Sequence, residues 1–566
     1  MAGLISFVSL RSKKCKTMNR IKLCIAICLF IFSGVSYGQD SKDDMSTPID
    51  LTQNSGWNKV LCMKNGNTML FHFDRDKPIT IKVFDSLHKE KASVEYLPKI
   101  LNVETFKMLV FKGFFELNGE AVMFFEQERL KLELVRLRFN SDNGTVIEEK
   151  QAGESKTVGK KTRFYVMKNK EDEDYAILFS TEDPNFKQCD LHVTYYNNKH
   201  ESYKDIPLDV DRKKYDYLFV VGAESQPNGV SIMLNLTTLA VNGAPSSVSN
   251  EKAIYDHDIA MYYITKSSGK VNKTVVNMST DIYPTYSKYT YNPFANTLNL
   301  LLYSYRTIRY KFGMSIQRGS VSQDLFYISD LNTGGTKLNY VDNKFATASL
   351  RQKGDSTKVF YGMPLNMHTN ENGLTTLISE GYDRYDEPET QARYNFETYL
   401  GNIAVAQVDD DGNELWGTVL PQSECFKSYK RYFQPIEFAK KRTAGVPFSD
   451  LPEQVYEGQF LSLNSYFYHK NIYIIYNDFN KNFNSTIDKP GDTVYDFTAT
   501  NACVYKIDSK REITKHYLFG DPVANEYKCS FIEGADFDEQ RGTYATLVQY
   551  KHEGDISLRM AWVKMD

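Results

Sequence analysis

GNIAVAQVDDDGNELWGTVLP, residues 401–421, can be read as a calcium loop or as a turn between two strands. An EF-type loop places oxygen ligands at positions 1, 3 and 5, glycine at 6 and a bidentate glutamate at 12. Counting from Asp409, Asp411 and Asn413 fall at positions 3 and 5, but glycine arrives at position 4 and position 12 is Leu420. The hairpin reading meets no such obstacle. Ile403 to Val408 is an apolar run, Asp411-Gly412 is a turn signal, and Leu415 to Leu420 resumes as a strand.

A unique binding loop would not recur along the chain, and this pattern does. Comparable strands are ITIKVFD (79–85), LELVRLRF (132–139), DLHVTYY (190–196), IAMYYIT (259–265), DLFYISD (324–330), NIAVAQVD (402–409), ACVYKID (502–508) and ISLRMAWVK (556–564), with starts 53 to 100 residues apart. Each follows another apolar run, such as TMLFHF (68–73) or IYIIY (472–476), and often a third, such as WNKVLCM (57–63) or SFIEGADF (530–537). A unit of about 40–50 residues with four antiparallel strands is the signature of a β-propeller blade. Ile403, Ala404, Val405, Ala406 and Val408 are apolar without alternation, as expected of a central strand covered on both faces. The pattern predicts one all-β propeller over residues 39–566, with eight blades of mainly four strands and seven as the nearest alternative. The last unit ends just after its third strand, so a segment near residues 46–52, Ser46 to Thr52, is expected to supply the missing outer strand.

The first 38 residues carry six basic and no acidic side chains before an apolar run from Leu23 to Phe32, then Ser36-Tyr37-Gly38. This is the layout of a secretory signal peptide, with Met18 a plausible true start. Ile27 stands where a lipobox needs a small residue before Cys28. Cleavage would leave 62 basic against 71 acidic residues, a net charge of −9. Such a balance argues against nucleic acid as the main partner. The five remaining cysteines, Cys62, Cys189, Cys425, Cys503 and Cys529, form no C-x-x-C pair, so neither a disulfide framework nor a metal site is expected. With no membrane span in the mature part and no cofactor motif, a periplasmic or secreted chain is expected.

The repeat, the leader and the I-x-V-x-x-V-D-x-x-G-x-x-L-W pattern of residues 403–416 resemble uncharacterised secreted β-propeller-like proteins of Bacteroidota. The resemblance implies an envelope or extracellular location and no particular reaction.

Insertions in a repeat collect on one rim and often make its binding face. Four are expected, at 306–322, 381–399, 425–456 and 477–500, all leaving the same face. Two are rich in Arg and Tyr, which combine stacking with forked hydrogen bonding. The candidate binding residues are Tyr382, Arg384, Tyr385, Arg393 and Tyr394 in GYDRYDEPETQARY (381–394), with Tyr429, Lys430, Arg431 and Tyr432 in KSYKRYFQPIEFAKKR (427–442). H-E-x-x-H and G-x-x-x-x-G-K-[ST] are not present, and G-x-S-x-G occurs only as GVSYG at residues 34–38, inside the leader. The expectation is a noncatalytic exported binding or scaffold protein that holds a protein, peptide or glycan at this rim. The alternative is a carbohydrate-active enzyme with a pair of carboxylates at the central channel.

Overall fold

The opening stretch folds as a hairpin. Its first strand ends at Val408 and the next begins at Glu414, and Gly412 takes the left-handed conformation (φ 80°) that the reversal demands. Asp409 organises the turn: Oδ1 accepts from the amides of Asp411 (2.9 Å) and Asn413 (2.8 Å), and Oδ2 accepts from Asn413 Nδ2 (3.0 Å). The same device recurs. Asp85 accepts from the amides of Leu87 and Lys89, Asn197 from those of Lys199 and Glu201, and Asp508 from those of Lys510 and Glu512. In each, the residue three after the Asx has positive φ: His88, His200 and Arg511 stand where Gly412 does. The turn is thus set by the side-chain acceptor, which mimics a backbone turn and tolerates several residues at the strained position.

The computed structural model describes residues 44–565 except 52–55, 75–76, 102–109, 156–160, 171, 183–190, 216, 227, 240–254, 278–281, 293–296, 309–316, 331–334, 342, 353–359, 361, 387–395, 410 and 429–457. The proposed leader, residues 1–38, lies outside them. The described strands form eight separate antiparallel sheets. After a short β1 (Asp44–Met45), the first full sheet contains β2 (Trp57–Cys62), β3 (Thr68–Phe73), β4 (Ile79–Phe84) and β5 (Glu90–Tyr96), in sequence order. The second is β6 (Val110–Leu117) to β9 (Val146–Glu154), and the third β10 (Lys161–Met167) to β13 (Ser202–Pro207). The fourth runs from β14 (Tyr217–Gln226) to β17 (Val271–Asn277), and the fifth from β18 (Ile282–Asn292) to β21 (Gly335–Tyr340).

Between the fifth and sixth sheets a helix, α1 (Lys344–Gln352), packs Ala346 and Leu350 against Ala404 and Val419. The strand pattern does not foresee it. The apolar pair four residues apart in KFATASLRQ is its sequence signal.

Burial explains the order of strands within each sheet. Every residue of β3 is buried, whereas β5 alternates exposed and half-buried positions. The first strand of each blade is innermost and the fourth faces solvent. Innermost strands meet their successors: β2 lies against β6, β6 against β10, β10 against β14, β14 against β18, and β18 against β22 (Gly362–Thr369). The sixth blade meets the seventh, which opens with β27 (Leu463–Tyr468), where Asn366 Nδ2 donates to Ser465 O and Oγ (3.1 and 2.9 Å). The chain is a β-propeller of antiparallel four-stranded blades.

The last sheet is built from β31 (Glu526–Ser530), β32 (Asp536–Asp538), β33 (Thr543–His552) and β34 (Asp555–Lys564). The SFIEGADF run reads as one strand, but here it is interrupted: β31 and β32 both pair with β33, and residues 531–535 break the ladder between them. The outer edge of β34 pairs with β1, Asp44 opposite Trp562 and Met45 opposite Ala561. The contact continues as Ser46 N donates to Met560 O (2.9 Å) and Ile49 N to Leu558 O (2.8 Å). Ile49 and Leu51 are buried in the large core cluster. Trp562 Nε1 then donates to Thr68 Oγ1 (3.0 Å), joining the last blade to the first.

Deleting residues 44–51 removes this edge pairing and the burial of two large aliphatic side chains, each worth about 1.5–3 kcal/mol. A fall in denaturant midpoint equivalent to about 3–6 kcal/mol is expected, with the slope of the transition roughly unchanged. At the turn, Asp409→Ala is expected to cost about 1 kcal/mol, while Asp409→Asn, which keeps the acceptor that Asn197 supplies elsewhere, stays within about 0.5 kcal/mol.

Candidate functional site

Antiparallel order fixes which face each connection occupies. Connections from second to third strands, and from one blade to the next, leave one face; those from first to second strands leave the other. Two connections on the first face are elongated hairpins. β19 (Thr297–Ile308) and β20 (Gln317–Asp330) stay paired out to Ile308 opposite Gln317. In the sixth blade, β23 (Thr375–Asp386) and β24 (Phe396–Val408) stay paired out to Asp386 opposite Phe396.

The sixth-blade arm has a third strand. β25 (Glu414–Leu420) covers β24 as far as Ile403, and β26 (Glu424–Ser428) takes over the same edge from Leu400 to Phe396. Tyr382, Arg384 and Tyr385 lie on β23 in this arm, opposite Leu400, Thr398 and Glu397. Arg393, Tyr394, Tyr429, Lys430, Arg431 and Tyr432 lie outside the described residues.

The seventh-blade insertion grips the root of this arm. Two 3-10 turns, Asn480–Asn482 and Phe497–Ala499, punctuate it, and Asn482 pins it by donating to Asp478 Oδ1 and Asp492 O (both 2.7 Å). Val494 forms a parallel bridge with Glu424, its amide donating to Ser423 O and its carbonyl accepting from Cys425 N (both 2.9 Å). Beneath that bridge sit two fully buried acids, Glu380 of β23 and Glu424 of β26. Ser462 links them, its Oγ donating to Glu380 Oε2 (2.6 Å) and its amide to Glu424 Oε2 (2.7 Å). Gln422 Nε2 donates to Glu424 Oε1 (2.9 Å). Burial first, then the charge of Glu380, pushes the Glu424 carboxyl well above the ordinary glutamate range, so the neutral form is favoured.

On the opposite face the channel mouth holds a cavity of about 430 Å³, within the range of small-ligand sites. The innermost strands of the last, first, second and third blades wall it, with Phe114 supplying apolar surface. Four lysines and four carboxylates reach its lining. Lys64 pairs with Glu116 (3.6 Å), Lys170 with Glu539 (3.2 Å) and Asp538 with Arg541 (2.6 Å), while Lys112 turns to Glu126 (3.0 Å) behind the wall. Asp536 Oδ2 accepts from the Cys62 amide (2.8 Å). Lys168 donates to the carbonyls of Asn169 and Asp172. Burial, then the charge of Lys64, lowers the Lys168 pKa below the ordinary lysine value. Burial, then Asp536 and Asp538, raises the Cys62 thiol well above its usual value, so it is a poor nucleophile. Sequence reasoning misses this site because its residues come from strand ends in four blades, with no local motif.

No protein-family model matches the chain, and no curated protein matches it. Solved structures aligned with it include the WD40 domain of SCAP from fission yeast, at 9% identity and a TM-score of 0.33, covering 93% of this chain and 99% of that one. Polysaccharide lyase Uly1 aligns at 10% identity and a TM-score of 0.38, covering 92% and 100%. A post-proline cleaving enzyme from Rickettsia typhi aligns at 11% identity and 0.37, covering 89% and 58%. Likeness at this level assigns no function.

The acid pair makes stability depend on pH. With a folded pKa above its unfolded value, Glu424 contributes fully below about pH 4.5, and that contribution is lost as pH rises through the folded value. Asp478 adds to the upward shift. The melting temperature of the wild type is therefore expected to decline as pH rises above about 5 more steeply than that of Glu424→Gln. Parallel declines in both proteins would place the titration elsewhere.

Proposed function

We propose that the chain is an exported, noncatalytic binding or scaffold protein whose eight sheets close into one eight-bladed ring. It holds a protein, peptide or glycan on the face that carries the long arms. Contact between successive innermost strands, and the pairing of β1 with β34, support the single ring. The basic and apolar leader supports export to the periplasm or beyond.

The observation that carries the binding role is the interlock of the sixth- and seventh-blade insertions at Glu424 and Val494. Two independent elongated connections are tied together at their roots, which gives a braced platform in place of two separate loops. The platform carries Tyr382, Arg384 and Tyr385 on one strand. Arg393, Tyr394, Tyr429, Lys430, Arg431 and Tyr432 belong to the same two connections in sequence and complete the proposed binding set. Binding is preferred over glycoside hydrolysis because three of the four carboxylates at the channel mouth, Glu116, Asp538 and Glu539, are engaged in ion pairs, so Asp536 has no free carboxyl opposite it. Hydrolysis needs one carboxyl kept protonated opposite a second one.

The test is capture of partners from an envelope extract, and screening against a glycan array, by the mature protein and by a variant with Arg384, Tyr385, Lys430 and Arg431 all changed to alanine. Loss of binding by at least about tenfold with an unchanged melting temperature is expected, and weaker capture by the wild type as salt rises. Undiminished capture by the folded variant would move the partner site off the arms.

A further inference from the structure

The channel-mouth cavity lies on the face opposite the arms, so the binding platform does not account for it. Its charged lining is almost wholly self-neutralised. Lys64, Lys112 and Lys170 each have a carboxylate partner within ion-pair distance, as Asp538 has Arg541. Among the described residues two lining groups lack one: Lys168, from the end of β10, and Asp536, from β32.

Both are held in place. Lys168 is fixed by two carbonyls of its own turn, which leaves one of its three ammonium protons for another acceptor. Asp536 is oriented by the Cys62 amide through Oδ2, which leaves Oδ1 as an acceptor. Lys168 is surrounded at longer range by Lys64, Asp172, Glu173 and Glu116, and Asp536 by Lys170 and Cys62. Asp172, Glu173 and Glu116 offset Lys168 and Lys170 offsets Asp536, but neither group has an ion-pair partner in contact, so each keeps a hydrogen-bonding position open to a ligand of opposite charge. A neutral sugar would leave both unpaired, and an ordinary anion would satisfy one while facing the other.

We propose that this cavity binds a small amphoteric ligand of the amino-acid or short-peptide class, its carboxylate on Lys168, its ammonium on Asp536 and its side chain against Phe114. The volume fits a dipeptide with one aromatic ring. Since the site is on the far face, it is independent of the arms and of any partner they hold.

Isothermal titration of the mature protein with Ala-Phe, N-acetyl-Ala-Phe and Ala-Phe amide tests it. Free Ala-Phe is expected to bind, and removing either charge is expected to weaken binding by at least about tenfold. Asp536→Asn, which keeps an oxygen acceptor for the Cys62 amide, and Lys168→Met should each lose about tenfold in affinity for Ala-Phe, and Lys168→Arg should retain it. The Arg384, Tyr385, Lys430 and Arg431 alanine variant should bind Ala-Phe as the wild type does, which separates this site from the arm face. Equal affinity for the free and blocked dipeptides, or no heat with Ala-Phe at about 10 mM, overturns the proposal.

Discussion

A ring of sheets has two ends that must meet, and an unpaired strand edge at that seam is both unstable and prone to pair with another chain. Here the seam is sealed by a few residues from the opposite end of the sequence. β34 exposes a ladder edge that β1 and the following residues cover, while Trp562 reaches across to Thr68 and stacks on His88 at 4.3 Å. On the channel side Val60 N donates to Gly534 O (2.7 Å), and Gln459, at the entry to the seventh blade, accepts from Asn58 N (2.7 Å) and donates to Gly56 O (3.0 Å). Sheet edge, core and channel wall are thus tied at one place, and the geometry of every other blade depends on that tie holding.

Within this frame the blades differ in what they do with their connections. A short hairpin is closed by one Asx side chain, and five of the described hairpins use that solution with glycine, histidine or arginine at the strained position. Longer connections extend the strands themselves, which satisfies backbone groups in the ladder instead of leaving them to loop hydrogen bonds. The arm of the sixth blade requires a third strand for the same reason. Its root carries two buried acids because the β26 crossover places Glu424 under the Val494 bridge, where Ser462 is the available donor to both.

The two faces of the propeller consequently have different chemistry. One bears the extended hairpin of the sixth blade, tied at its root to the seventh-blade insertion. The other bears a small cavity at the channel, where four blades converge and burial makes each charge costly unless it is paired.

Much of the architecture is written locally in the sequence. Doubly covered strands such as IAVAQV and IYIIY are marked by nearly continuous apolar runs, and the turn DDDGNE by its Asx and glycine, because strand burial and turn geometry depend on residues a few positions apart. The positions of the enlarged connections are legible too, as breaks in the repeat. The sequence does not reveal that 381–386 and 396–399 are paired strands, since polar residues such as Asp383, Arg384 and Glu397 carry no burial signal when an arm leaves the core. Nor does it foresee α1 or the interruption of the last blade's first strand. The channel cavity is the extreme case: Lys64, Lys168 and Asp536 are far apart in sequence and unremarkable individually, and only ring closure, which brings the last blade beside the first, makes them neighbours. Periodicity records which face of a strand is buried; which strands from distant blades meet at the axis is decided by tertiary packing alone.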